Sequence, residues 1–404
     1  MFSLSFEPLR RLFQRAPEAC TFGLVLSGGG ARAAYQSGVL HYIASTFPDA
    51  HFPILCGVSA GAINAAHLAN EAHSFSAAAS EMIESWRGIS PERVFVAESR
   101  LSLLRSLLGF GSGDANGRRG IVDASPLKEF LCEHLHTQDG RLTGIADSLA
   151  AGRLRAVAIV TTNYQTGQTV TWVQGQDIRG WERPNRVGIQ TTLTVDHVMA
   201  SSSLPLLFPA VEIGGAWYGD GGIRLTAPLS PTIHLGADRI LVVSTRYDRS
   251  RAEANEPAVA GYPPAAQIMG VLMNAIFLDM LDQDAMTMQR LNELLRHVPQ
   301  RHRHGMRPIR ILLLRPSVDL SRLARDYDAH LEGALSLVTA GLGTRESRSP
   351  DWLSMLLFDP GYVARLIEIG YEDARRQHER IETFLDPAAD VAPHFTLDEL
   401  FHPG

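Results

Sequence analysis

Cysteine is scarce in this chain of 404 residues, and that scarcity removes two chemistries at once. Cys20, Cys56 and Cys132 are odd in number, far apart and contain no CxxC pair. Neither a disulfide framework nor a cysteine-based zinc site is expected, and a reducing compartment is. Long hydrophobic runs are missing too. A membrane-spanning helix needs about 18 or more apolar residues in succession, and the richest stretch, 269–281, is broken by Asn274 and Asp279. The opening MFSLSFEPLRRLFQR lacks the unbroken apolar core of a signal peptide. An excess of basic charge is also absent: 37 basic against 43 acidic residues leave −6, which gives no ground for a nucleic-acid partner. There is no internal repeat and no low-complexity tract. These absences lead to the expectation of a cytoplasmic protein that does not cross a membrane, and they leave open whether it lies peripherally on the inner face of one.

What is present is the composition of an ordinary globular protein, 45% hydrophobic and 20% charged, with length enough for a large core. Thr21–Leu26 reads as a buried strand, followed at once by Ser27-Gly28-Gly29-Gly30 and a helical run from Ala31 to about Ala44. Pro53–Cys56 reads as a second strand and Ala60–Asn70 as an alanine-rich helix. Strand, glycine turn and helix, repeated twice, is the pattern of a parallel α/β sheet. Residues 74–150 read as mostly helical, interrupted by a loop at Gly109–Gly120. Two hairpins are expected, Leu154–Thr162 with Gln168–Gln174 and Val211–Ile213 with Ala216–Tyr218. Leu229–Leu235 reads as a helix before the strand Arg239–Ser244. Residues 263–297 and 317–380 read as helical around a last strand, Ile309–Leu314, and the final 25 or so as a tail.

Three short patterns carry chemistry. Gly57-Val58-Ser59-Ala60-Gly61 fits G-x-S-x-G, the strained strand-to-helix turn that projects a serine hydroxyl at a helix N-terminus. The bare pattern arises by chance in roughly one chain in ten of this length, so an incidental glycine turn fits it as well. The flanking strand and helix are what strengthen it. Gly28-Gly29-Gly30 exposes backbone N–H groups suited to an oxyanion or a phosphate, or is simply a tight turn. It fits neither a P-loop, which ends in GK[ST], nor G-x-G-x-x-G, since Ala33 stands at the third glycine. Asp220-Gly221-Gly222 holds an acid on a loop able to approach another loop, and by itself is ordinary turn chemistry.

Taken in order, the three motifs resemble those of the patatin-like phospholipase family, over Phe22 to about Leu320, roughly three quarters of the chain. That family's glycine-rich G-G-G-x-R/K-G loop is matched by Gly28-Gly29-Gly30-Ala31-Arg32-Ala33, its elbow by Gly57–Gly61 and its D-G-G/A motif by Asp220-Gly221-Gly222. The flanks Ala200-Ser201-Ser202-Ser203-Leu204-Pro205 and Leu235-Gly236-Ala237-Asp238 are similar as well. Ala33 departs from the pattern, a small-for-small change that keeps the N–H donors. The resemblance implies an α/β three-layer sandwich with a mainly parallel central sheet and a helical C-terminal extension. It implies Ser59 as nucleophile, Asp220 as the group that takes its proton, Gly28, Gly29 and Gly30 as oxyanion donors, and Gly57, Gly61, Gly221 and Gly222 as structural support. Arg32 orients the glycine loop, attracts a phosphate or forms a surface ion pair. The implied substrate is a phospholipid or other acyl-ester lipid, with no cofactor and no metal; oligomeric state is not legible.

The expected division is an amphipathic arm at 1–20, a catalytic domain at 21–320 with a helical subregion at about 263–298, and a helical extension and tail at 321–404. Three rivals remain. An acyltransferase would use the same machinery, and a non-catalytic lipid-binding protein the same frame. An α/β-hydrolase triad would need a histidine, for which His197 and His234 lie nearest. Candidate lipid-facing surfaces are the arm, Leu101–Phe110, and the basic stretch Arg296–Arg310, though the first two read more readily as packing on the protein's own core or a partner and the third as a solvated loop.

Overall fold

Residues 20–97, 122–205, 207–255, 279–330 and 350–390, with 262, 268 and 271, are described by the computed structural model. The arm before Cys20, the stretch 101–110 with its glycine-rich loop, nearly all of 263–278 and the end of the tail lie outside them. A ten-stranded sheet organises the rest. The strands are β1 (Phe22–Leu26), β2 (Ile54–Val58), β3 (Ala156–Asn163), β4 (Thr169–Gly175), β5 (Trp181–Arg183), β6 (Arg186–Gln190), β7 (Val211–Ile213), β8 (Ala216–Asp220), β9 (Arg239–Val243) and β10 (Arg310–Leu314). They run in the order β10-β9-β1-β2-β3-β4-β6-β5, and β8 joins β3 and carries β7. From β10 to β3 the strands are parallel; β4, β8 and the β5–β6 and β7–β8 pairings bring in antiparallel edges. The expected fold class is the one observed.

Alternation along the strands explains why both faces are covered. Leu24, Leu26, Leu55, Val157, Ile159, Leu241 and Val243 face one side, and Val25, Cys56, Val58, Ala158, Val160, Ile240 and Val242 the other. Parallel strands of this kind, apolar at every position, need helices on both sides. The first face takes α1 (Ala34–Thr46), α2 (Ala60–Asn70), α3 (Phe75–Arg87), α4 (Ser125–His134), α5 (Thr143–Ala150) and α6 (Val195–Ser202). The second takes Leu225, Leu229, α7 (Ser230–His234) and α8 (Asp279–His297).

The C-terminal helices share the first core. Following α9 (Leu320–Ala324), helices α10 (Pro350–Leu356), α11 (Pro360–Arg376) and α12 (His378–Leu385) add Leu356, Tyr362, Val363, Leu366 and Phe384 to it. Helix continues to Leu385, further than the expected tail allows, because the buried Arg239 side chain donates to the carbonyls of Thr383, Phe384, Pro387 and Ala389 and holds that end. The β5–β6 hairpin, turning on Pro184-Asn185 with Asn185 at φ 61, was not expected at all. Its strands are short and its charged residues leave little alternation to read.

Candidate functional site

Strand β3 brings the two ends of the site together. On one edge it pairs with β4 along Ala156–Thr162. On the other edge β2 occupies Ala156–Val160, with Val58 opposite Val160, and β8 arrives antiparallel over Thr161–Asn163, with Asp220 opposite Thr161. Ser59 therefore leaves the edge at the step where Asp220 enters it. Asp220 is not on a loop, as its D-G-G context suggests, but is the last residue of β8. Its N–H donates to the Ser203 carbonyl at 3.0 Å, and the Thr162 hydroxyl donates to its carbonyl oxygen at 2.9 Å.

The Ser59 turn is built locally. Ser59 stands at the N-cap of α2, with φ 56 and ψ −135. A serine there ordinarily ties its hydroxyl to a backbone N–H of the first turn, but no such bond forms, so the hydroxyl is left for other use. Gly61 permits the tight approach: a side chain on it would collide with the Leu26 and Ser27 carbonyl oxygens. Gly57 faces Gly61 across the same turn. Two serines that sequence reasoning noted only as a flank clamp the turn. Ser201 Oγ accepts from the Ser59 N–H at 2.9 Å and donates to the Val160 carbonyl at 2.6 Å, and Ser202 Oγ donates to the Ser59 carbonyl at 3.2 Å. Three consecutive serines at a helix end were the available signal.

Asp220 is fully buried, and burial pushes its carboxyl from 3.8 up to about 7, against the opposing pull of the Ser59 hydroxyl and the Gly222 N–H. Its Oδ1 accepts from the Gly222 N–H at 2.8 Å. Its Oδ2 has no completed hydrogen bond, so the Ser59 hydroxyl acts on the carboxyl from nearby without closing one. Gly221 packs against the Val160 carbonyl. Tyr164, whose ring covers Gly219, has its hydroxyl raised to about 12, by burial and then by the Asp220 charge.

The glycine loop lies directly over the serine. A side chain at Gly28 would put its Cβ 2.9 Å from Ser59 Cβ. Thr245 Oγ1 donates to the Gly28 carbonyl at 2.6 Å, and Gln36 Nε2 to the Ser27 carbonyl at 2.8 Å. The carbonyls are thus occupied while the N–H groups of Gly28 and Gly29 enter no hydrogen bond among the described residues. Gly30 abuts the Met355 carbonyl of α10. Arg32 does not stand at the surface. It is buried, with Nε donating to Ser354 Oγ at 2.8 Å and Nη2 to Ser321 Oγ at 3.0 Å, which ties the loop's exit to α10 and α9. Beside the loop opens a cleft of about 500 Å³, counting the part open to solvent, walled by Val25, Cys56, Val58, Val160, Gly222, Leu225, Pro228, Met280 and Leu281.

Neither candidate histidine joins this group. His197 is buried, its Nδ1 taking part in the capping of α6 with Thr194, and burial lowers its pKa to about 4. His234 is exposed and stacks on Trp181. The basic stretch lies around the start of β10, at the sheet's opposite end, where Arg296, Arg307 and Arg310 pair with Glu293, Asp238 and Asp390. Among the described residues no helix is long and apolar enough to cross a membrane.

The chain is similar to several known proteins. The cGAMP-activated phospholipase of Pseudomonas aeruginosa is 30% identical over 208 residues, 51% of this chain and 53% of that protein, so the chain spans about half the length of the curated relative it matches. Among solved structures, VipD from Legionella pneumophila is similar over 92% of this chain and 67% of its own, at 13% identity and TM-score 0.40. Human GIVD cytosolic phospholipase A2, in complex with methyl gamma-linolenyl fluorophosphonate, is similar over 92% and 60%, at 15% identity and TM-score 0.42. The family profile described as patatin-like phospholipase matches residues 24–233, just over half of the chain and the span that holds all three motifs. On that match, this chain belongs to the patatin-like phospholipase family.

Proposed function

We propose that the protein is a serine hydrolase of lipid acyl esters in which Ser59 attacks the carbonyl carbon and Asp220 takes the serine proton directly. The observation that carries this reading is the meeting of Ser59 with a fully buried Asp220 across consecutive positions of β3, with Oδ2 free to accept. An unperturbed aspartate is a weak base at neutral pH, whereas one with a pKa near 7 is matched to the task. Attack turns the carbonyl oxygen into an oxyanion, and the free N–H groups of Gly28 and Gly29, with the N-terminal end of α2, supply the partial positive charge to hold it. Expulsion of the alcohol, which takes the proton back from Asp220, leaves an acyl-Ser59, and water attacking by the same route releases the fatty acid. The wall of the cleft beside the loop is mainly apolar, the chemistry that contact with an acyl chain calls for.

Labelling the folded protein with a fluorophosphonate and locating the adduct by mass spectrometry tests the assignment. An adduct on Ser59 that is lost in Ser59→Ala is expected; folded protein that gains no adduct there overturns it.

A further inference from the structure

The hairpin missing from sequence expectations carries an arrangement that folding alone does not favour. In the β5–β6 register Arg183 stands directly opposite Arg186, and like charges in that relation destabilise a sheet. Neither guanidinium has an ion-pair partner among the described residues, and Arg186 Nη1 is buried without any hydrogen-bond partner. A buried, unpaired cationic donor is costly. Of the nearby carboxylates, Glu182, one position along β5, points to the other face, while Asp284, which accepts from the Leu229 N–H at 2.9 Å, lies near enough to Arg186 to feel its charge. Both arginines also act on His234, which places them on the face of the sheet that holds the cleft.

Their position is fixed by register. Gly219, the residue before Asp220, pairs with Thr162, Thr162 with Thr169, and Thr169 with Arg186. Three strand spacings of about 4.8 Å put Arg186 roughly 14 Å from Gly219 along one row, whose side chains face the side of the sheet opposite to the Asp220 side chain. The glycerophosphate of a lipid together with an arginine side chain covers such a span. Arg224, four residues beyond Asp220, adds a further exposed cation at this corner, where its carbonyl accepts from the Thr169 hydroxyl at 2.9 Å.

We propose that Arg183 and Arg186 form a phosphate-binding subsite that takes the headgroup phosphate of a phospholipid whose acyl chain lies in the cleft. The subsite rests on the acyl-hydrolase reading above and names its substrate class. Guanidinium forks bind phosphate oxygens in pairs, and a bound phosphate would relieve the repulsion between the two arginines.

The test compares phosphatidylglycerol with diacylglycerol in micelles of one uncharged detergent, so that the headgroup is the only difference. In the Arg183→Gln/Arg186→Gln double variant the ratio of kcat/KM for the two lipids should fall about ten- to hundredfold. An active variant with an unchanged ratio overturns the subsite. So does an equal loss on both lipids with a lowered Tm, which marks a structural role. If inorganic phosphate raises the Tm of the wild type but not of the variant while the ratio stays unchanged, the site serves a free anion and the lipid assignment is wrong. Wild-type protein that hydrolyses neither lipid overturns the hydrolase reading and the subsite with it.

Discussion

At the amino edge of the sheet, where β9 and β10 begin, buried and surface charges are met by groups of the same chain. Arg239 donates to four carbonyls through its terminal nitrogens, leaving only Nε without a partner. Asp238 accepts from the Thr21 N–H at 3.0 Å and from Arg307 at 2.8 Å. At the carboxyl edge the opposite holds. Ser59 is strained, Asp220 is buried with an oxygen unpaired, two glycine N–H groups are unused, and Arg183 faces Arg186. One edge is arranged for stability, and the other carries local costs of the kind that cluster at functional sites.

The strongest way to break this contrast is Asp220→Asn, for which turnover should fall about 10²–10⁴-fold. In the wild type kcat/KM should climb through about pH 7 and level off above it, as the base form appears. Stability should move the other way. The folded carboxyl keeps its proton up to about pH 7 while the unfolded one ionises near 3.8, so the folded state loses stability as pH rises across that window. The full difference corresponds to roughly 4 kcal/mol. Asp220→Asn removes it, so its Tm advantage over the wild type should be larger at pH 8 than at pH 4; equal differences would show that burial imposes no cost.

Gly28→Ala comes next. Its Cβ would press on Ser59, and the loss of a correctly placed donor should lower kcat by about 10²–10³; a near-normal rate would remove the loop from the reaction. At the other edge Arg239→Met should cost about 3–5 kcal/mol in urea unfolding by leaving buried carbonyls without donors, yet keep the turnover per folded molecule. A lost rate with unchanged stability would reverse the contrast. Arg307→Ala, which breaks an exposed pair, should change stability by less than about 1 kcal/mol in the same measurement.

Parts of this molecule were legible in the sequence for a plain physical reason. The first two strand–turn–helix units announce themselves because buried strands, glycines and helix lie within a few residues of one another. The β5–β6 hairpin does not, because Trp181, Glu182 and Arg183 carry no apolar alternation and Gly188 is rescued only by the Trp181 ring lying over it. Arg32 reads equally as a loop-orienting group, a phosphate ligand or a surface charge until serines 289 and 322 residues further along are folded against it.

The sequence by itself determined the elbow: glycines at 57 and 61 allow a backbone shape that short-range sterics then impose on Ser59. It determined the unshielded loop at 28–30 for the same reason. Only the tertiary structure decided that Asp220 meets that serine, since the meeting depends on β2 and β8 sharing one edge of β3, with Val58 at Val160 and Asp220 at Thr161. It alone decided the burial that sets the carboxyl near 7, because desolvation is a property of the packed surroundings rather than of a residue and its neighbours in the chain.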